Sequence, residues 1–256
     1  MSSPHGNFVW YELMTTDHKA AEDFYQGVIG WRMQDAGMSN PYTLFCVGER
    51  AVGGLMELPR AACEAGARPS WRGHIWSDDV DTFAPRVVRA GGAVLHPPED
   101  IPGVGRFATV SDPQGALFVL FKGSADTQDA RPASTAPGFT GWHELHAGDG
   151  ASAFTFYSGL FGWTKAESMD MGPMGIYQLF ATGKEPVGGM MTKGKATPVP
   201  FWLYYFNLDE IEAGATRVKA KGGEILNGPH QVPGGRWIVQ CRDPQGAMFA
   251  LVGPHR

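Results

Sequence analysis

The chain predicts an α+β fold of two tandem halves, each a pair of βαβββ modules whose mixed sheet curls into a cup with helices outside. Three observations lead there: an internal repeat, strands that alternate apolar and polar residues, and helices punctuated by glycine. The repeat comes first. "FVWYELMTTDHKAAEDFYQGVIGW" (8–31) returns as "FTGWHELHAGDGASAFTFYSGLFGW" (139–163). An offset of 132 carries Trp10 to Trp142, Glu12 to Glu144, Asp17 to Asp149, Phe24-Tyr25 to Phe156-Tyr157 and Gly30-Trp31 to Gly162-Trp163. "AVGGLM" (51–56) matches "PVGGMM" (186–191), Trp71 matches Trp202, and "DPQGA" at 112–116 recurs at 243–247. The halves span 6–122 and 138–254, and 123–137, lacking apolar periodicity, reads as a linker.

The elements follow in order within each half. "FVWYELM" and "TGWHELH" alternate as strands. Asp17 and Asp149 then cap helices with one apolar face, Ala21, Phe24, Tyr25 and Val28 or Ala153, Phe156, Tyr157 and Leu160. Gly30 and Gly162 end them. Three short strands follow, among them "YTLFCVG" and "RAVGGLMEL". A second module repeats the plan: a strand at 71–77, a helix over about 81–90 closed by Gly91-Gly92, and strands "GRFATVS" and "GALFVLFK". One module cannot bury its sheet face alone, so two must pair, and the concave face becomes a natural ligand site.

Composition narrows the function. The 256 residues carry a net charge of -5 without a basic run, which argues against a nucleic-acid partner. No stretch approaches the ~20 apolar residues of a membrane span, so no membrane partner is expected. Three cysteines without CxxC spacing suggest a reducing, cytoplasmic setting. The expected partner is a small molecule, and the chain a monomer or homodimer.

The phrases "TTDHKAAEDFYQGVIGW" and "VSDPQGALFVLFK" resemble the vicinal oxygen chelate superfamily of glyoxalases, extradiol dioxygenases and bleomycin-resistance proteins. In detail the chain is similar to a tandem two-domain subgroup with a W-x-E-L strand, which includes a mycobacterial culture-filtrate antigen and glyoxalase-like hydroxylases. The resemblance implies a divalent metal in the cup. Its ligand positions, however, fall on Trp10, Arg72 and Val119 in the first half and Trp142, Leu203 and Ala250 in the second. None of these six offers a lone pair to a metal. No cofactor is therefore expected, although a divalent metal stays open, with Glu57 as a lone surviving carboxylate.

The candidate site rests on Glu12 and Glu144. Each lies two residues beyond a cup-facing Trp on one strand, so it shares that face. A carboxylate among apolar groups needs a partner. Arg106 and Arg236, opening the seventh strand of each half, are the candidate cations. Glu12 and Glu144 are the candidate catalytic acid–base groups, with Trp10, Trp142, Tyr42, Tyr177, Met174, Arg106 and Arg236 as ligand-binding residues. The bland reading, which outweighs the functional one, makes each Glu–Arg pair a buried ion pair that fixes the two modules together. His143 and His146, three apart on a strand, face opposite ways and are not expected to chelate a metal. Cys46 reads as a core residue. Two functions stay open: a metal-independent lyase or isomerase (or an oxidoreductase) using a Glu base, and a binding protein that sequesters a toxic metabolite or antibiotic. A metal-dependent lactoylglutathione lyase or extradiol dioxygenase ranks behind both.

Overall fold

The computed structural model describes residues 5–38, 40–124 and 135–255, so most of the 123–137 linker lies outside the described residues. The first repeat contributes β1 (Phe8–Thr15), α1 (His18–Ile29), β2 (Arg32–Asp35), β3 (Thr43–Val47), β4 (Arg50–Glu57), a short α2 (Arg60–Glu64), β5 (Ser70–Trp76), α3 (Val80–Arg89), β6 (Ala93–Ile101), β7 (Gly105–Ser111) and β8 (Leu117–Gly123). The second contributes β9 (Thr140–Ala147), α4 (Gly150–Phe161), β10 (Thr164–Asp170), β11 (Ile176–Ala181), β12 (Pro186–Thr192), β13 (Phe201–Asn207), α5 (Ile211–Ala220), β14 (Glu224–Gln231), β15 (Trp237–Arg242) and β16 (Met248–Gly253). They form two mixed eight-stranded sheets, in the orders β2-β3-β4-β1-β5-β8-β7-β6 and β10-β11-β12-β9-β13-β16-β15-β14. The expected class holds: four βαβββ modules, helices outside the sheets.

Local chemistry explains the boundaries. Asp17 accepts from Ala20 N at 3.0 Å and Asp149 from Ser152 N at 2.8 Å, satisfying N–H groups that the first helical turn leaves open. Gly30 and Gly162 close α1 and α4 with φ of 89° and 70°, a left-handed geometry that glycine adopts without a Cβ clash. The expected helix at 81–90 begins one residue earlier, because Asp79 caps it by accepting from Thr82 N. The short α2 was not foreseen: five residues are too few to show a period.

By packing, the chain falls into two compact units. One gathers the described residues 5–9, 72–124 and 143–202, the other 10–38, 40–71, 135–142 and 203–255. Each unit thus takes one module from each repeat. In the second, α1 lies against α5, and Tyr25 donates to Asp243 Oδ2 at 3.0 Å while accepting from Trp71 Nε1 at 2.9 Å. Trp31, Phe45 and Phe249 surround the Tyr25 ring. The first unit repeats this with α3 against α4: Tyr157 donates to Asp112 Oδ2 at 3.3 Å and accepts from Trp202 Nε1 at 3.0 Å.

These bonds give the DPQGA motif its reason. The Oδ1 of Asp112 accepts from Gln114 N and Ala116 N, and that of Asp243 from Gln245 N and Ala247 N. One carboxylate oxygen shapes the turn, and the other receives a buried tyrosine. Burial pushes both carboxyls above the usual aspartate range, partly offset by the hydrogen bonds they accept. The Tyr25 phenol is raised well above its usual value, chiefly by burial and then by Asp243.

Candidate functional site

The two glutamates occupy equivalent places. β1 pairs in parallel with β4, setting Glu12 opposite Gly54; β9 pairs with β12, setting Glu144 opposite Gly189. The glycines clear space. A Cβ on Gly54 would stand 2.0 Å from the Tyr42 hydroxyl, and one on Gly189 would stand 2.2 Å from Tyr177 Cζ. Each tyrosine ring therefore lies over bare backbone beside a glutamate. Tyr42 donates to Glu12 Oε1 at 3.0 Å, and Tyr177 to Glu144 Oε2 at 2.9 Å.

Around these pairs the repeats diverge. In the first, Trp10 Nε1 donates to the Tyr42 hydroxyl at 2.9 Å, completing an indole–phenol–carboxylate chain. Burial foremost, and then the Glu12 carboxylate, raise the Tyr42 phenol well above the tyrosine range. Tyr42 also lines a cavity of about 360 Å³ with His18, Glu22, Asp35, Met38, Pro41 and Thr43. A neighbouring cavity of about 330 Å³ is bordered by His18, Asn40, Pro41, Met56, Glu57 and Pro59. His18 joins their walls, its Nε2 2.8 Å from the Thr43 hydroxyl, which donates to Glu22. In the second repeat Glu144 Oε1 lies 2.7 Å from His146 Nε2, and the His146 ring stacks on Phe201 at 4.7 Å and 1°. The residue aligned with His146 is Met14, which is buried.

The remaining candidates are placed as follows. Arg106 grips Asp81 with two nitrogens, at 2.6 and 2.8 Å, and reaches Asp100 at 2.9 Å. That corrects the expected pairing with Glu12: a forked guanidinium matches the nearby Asp81 carboxylate, and the resulting network is a surface one. Arg236 donates to Val252 O at 3.2 Å, and no carboxylate among the described residues pairs with it, so its expected partnership with Glu144 is corrected too. Burial lowers its pKa, as it must for a half-buried cation. Met174 ends a 3-10 turn (Gly172–Met174) and is 55% exposed. Trp142 is half-buried on β9. His143 faces away from Glu144 and His146, stacked on Phe8 at 4.2 Å with Nδ1 2.6 Å from Val187 O.

The described residues at the family's ligand positions do not suit a resident metal. Among the described residues no group of three or more His, Cys, Asp or Glu side chains is arranged to hold one. Of the family's ligand positions, Val119, Leu203 and Ala250 are buried hydrocarbon, and the Trp10 indole is a donor already directed at Tyr42. His74 is buried; burial and then the Arg72 charge lower its pKa to about 3.

Sequence reasoning missed the Glu144–His146 contact, although a spacing of two on one strand was the signal for it. It also treated the tyrosines as pocket walls, when their hydroxyls are the carboxylates' partners. The pairing of β4 with β1 that brings them together is a non-local fact.

Tandem βαβββ modules on two mixed eight-stranded sheets, with a carboxylate–phenol pair in each repeat, set the class of fold. The chain belongs to the Glyoxalase/Bleomycin resistance protein/Dioxygenase superfamily, whose sequence profile matches residues 7–120 and 141–251. It is 32% identical over 249 residues to "Putative glyoxylase CFP32" of Mycobacterium tuberculosis, covering 96% of this chain and 94% of the relative. It is 30% identical over 258 residues to "Anthracycline biosynthesis protein DnrV" of Streptomyces peucetius, covering 95% and 91%. Among solved structures, the Mn(II)-bound glyoxalase of Novosphingobium aromaticivorans matches with a TM-score of 0.66 at 17% identity, covering 98% of this chain and 83% of that one. The 2,3-dioxygenase LapB of Pseudomonas sp. KL28 matches with 0.67 at 12%, covering 99% and 94%. At such identities these likenesses concern the fold.

Proposed function

We propose that the chain binds a small apolar or aromatic metabolite without a resident metal, and that its Glu–Tyr pairs supply proton transfer of the lyase or isomerase kind. The observation that carries this reading is the repeated placement of a carboxylate beneath a tyrosine hydroxyl. A carboxylate in an apolar strand can accept a proton, and a phenol beside it can donate a hydrogen bond to charge that develops on a substrate oxygen. Trp10 and Trp142 would offer flat apolar walls. A relative named for anthracycline biosynthesis supports an aromatic ligand. Three free cysteines agree with a reducing cytoplasm.

The test is a thermal-shift and tryptophan-fluorescence screen of aromatic and ketoaldehyde compounds, with metal analysis of the purified protein. Native-state binding raises the melting temperature. Glu12→Gln and Glu144→Gln should retain ligand binding and lose turnover. A wild type that binds without turnover would leave the sequestering reading, and full turnover in both variants would refute the glutamates as the proton-transfer groups. Stoichiometric metal that is required for binding would refute metal independence.

A further inference from the structure

We propose that Glu144 and His146 form a carboxylate–imidazole dyad whose Nδ1 is the general base for an aromatic carbon acid, and that the equivalent place on β1, where Met14 stands, has none. This rests on the small-molecule reading above and, in the second repeat, moves the base from the Glu144 carboxylate to the imidazole that this carboxylate orients. Glu144 and His146 project from the same face of β9, and their 2.7 Å contact joins Oε1 to Nε2. A carboxylate accepts and cannot donate, so Nε2 carries the proton and the lone pair sits on Nδ1. Nδ1 has no partner among the described residues, and it is not among the buried polar atoms left without one. The His146 side chain is 15% exposed and that of Glu144 10%. The rest of the arrangement fixes the pair in place. Tyr177 holds the other oxygen of Glu144, and Phe201 lies flat against the imidazole. Gly189, opposite Glu144, leaves the space that Tyr177 fills. When Nδ1 takes a proton, the imidazolium forms against a carboxylate already in contact. The first repeat has the glutamate and the tyrosine, but a thioether at Met14 cannot take a proton at neutral pH.

Nitrobenzisoxazole, a flat, neutral carbon acid, is a suitable probe. The base removes the ring C–H proton, the C–H electron pair becomes the third bond of a nitrile, and the N–O bond breaks to release a coloured phenolate. No oxidant or co-reactant is needed. The wild type should turn the probe over faster than free imidazole does. His146→Gln and His146→Met should each lose about a hundredfold, Glu144→Gln should lose less, and His96→Gln, on the surface, should match wild type. Nitrogen NMR of the imidazole ring, which needs no variant, should show a protonated Nε2 and a bare Nδ1 at alkaline pH. The opposite tautomer, or wild-type rates in both His146 variants, would overturn the dyad. A probe that binds by fluorescence but reacts no faster than with free imidazole overturns the dyad and leaves the binding reading intact. A probe that does not bind overturns both.

Discussion

Gly54→Ala should destabilise the protein even though alanine is the better strand residue. The backbone at Gly54 has no positive φ, so the change costs no strain there, and replacing a strand glycine should gain roughly 0.5–1 kcal/mol. The new Cβ would lie 2.0 Å from the Tyr42 hydroxyl, and ordinary contact needs about 3.5 Å. The ring must retreat by about 1.5 Å, which breaks its 3.0 Å bond to Glu12 and deprives Trp10 Nε1 of its acceptor. A hydrogen bond to a carboxylate is worth about 1.5–3 kcal/mol. The net loss is about 1–2 kcal/mol, a fall in melting temperature of about 2–8 °C for a chain of this size. Calorimetry on Gly54→Ala, Tyr42→Ala and the double variant measures it. With Tyr42 gone there is nothing to strike, so alanine at 54 should become neutral or stabilising. Ultraviolet titration should also find the Tyr42 phenol moving back toward the tyrosine range in Gly54→Ala. Equal costs in both backgrounds, or a Gly54→Ala protein as stable as wild type, would refute the idea that this glycine exists to seat the tyrosine.

Three further outcomes are expected. Tyr25→Phe strands two buried partners, Asp243 and Trp71, and should cost about 2–4 kcal/mol in urea unfolding; Tyr157→Phe, whose bond to Asp112 is longer, should cost less. Burial raises the folded-state pKa of Asp243, so its contribution to stability is fullest below the ordinary aspartate pKa of about 3.9 and is lost as pH rises through the raised value. Asp243→Asn should accordingly compare better with wild type at neutral pH than in acid, and unfolding curves across that range that stay parallel would contradict this. Arg106→Ala should change stability by less than about 1 kcal/mol while the Asp81 carboxyl, held low chiefly by its hydrogen bond to Arg106, titrates higher by carbon NMR.

The fold was legible because its signals are local. Asp17 and Gly30 punctuate one helix, Asp149 and Gly162 another, and the repeat doubles each clue. The site was legible only in part. Glu12 and Glu144 stood out as charges in apolar strands, but their partners come from strands that are distant in sequence. Nothing near Tyr42 reveals that β4 pairs with β1 and presents a bare glycine there. Arg106 misled for the converse reason: its position opening β7 suggested a cup-facing cation, while Asp81 at the start of α3 lies within reach of it. At Glu144 the local pattern was sufficient, since a histidine two residues on shares its strand face, and attention to the 143–146 spacing hid it.

The duplicated tyrosine–aspartate bond also binds the two repeats to each other. Tyr25 reaches Asp243 and Tyr157 reaches Asp112, so each repeat donates a hydroxyl to the other's turn. A chain with one repeat would bring both halves of this exchange yet complete neither by itself. Two such chains, side by side, would complete both. Severing the peptide between the repeats should therefore yield fragments that find each other again rather than two separate proteins.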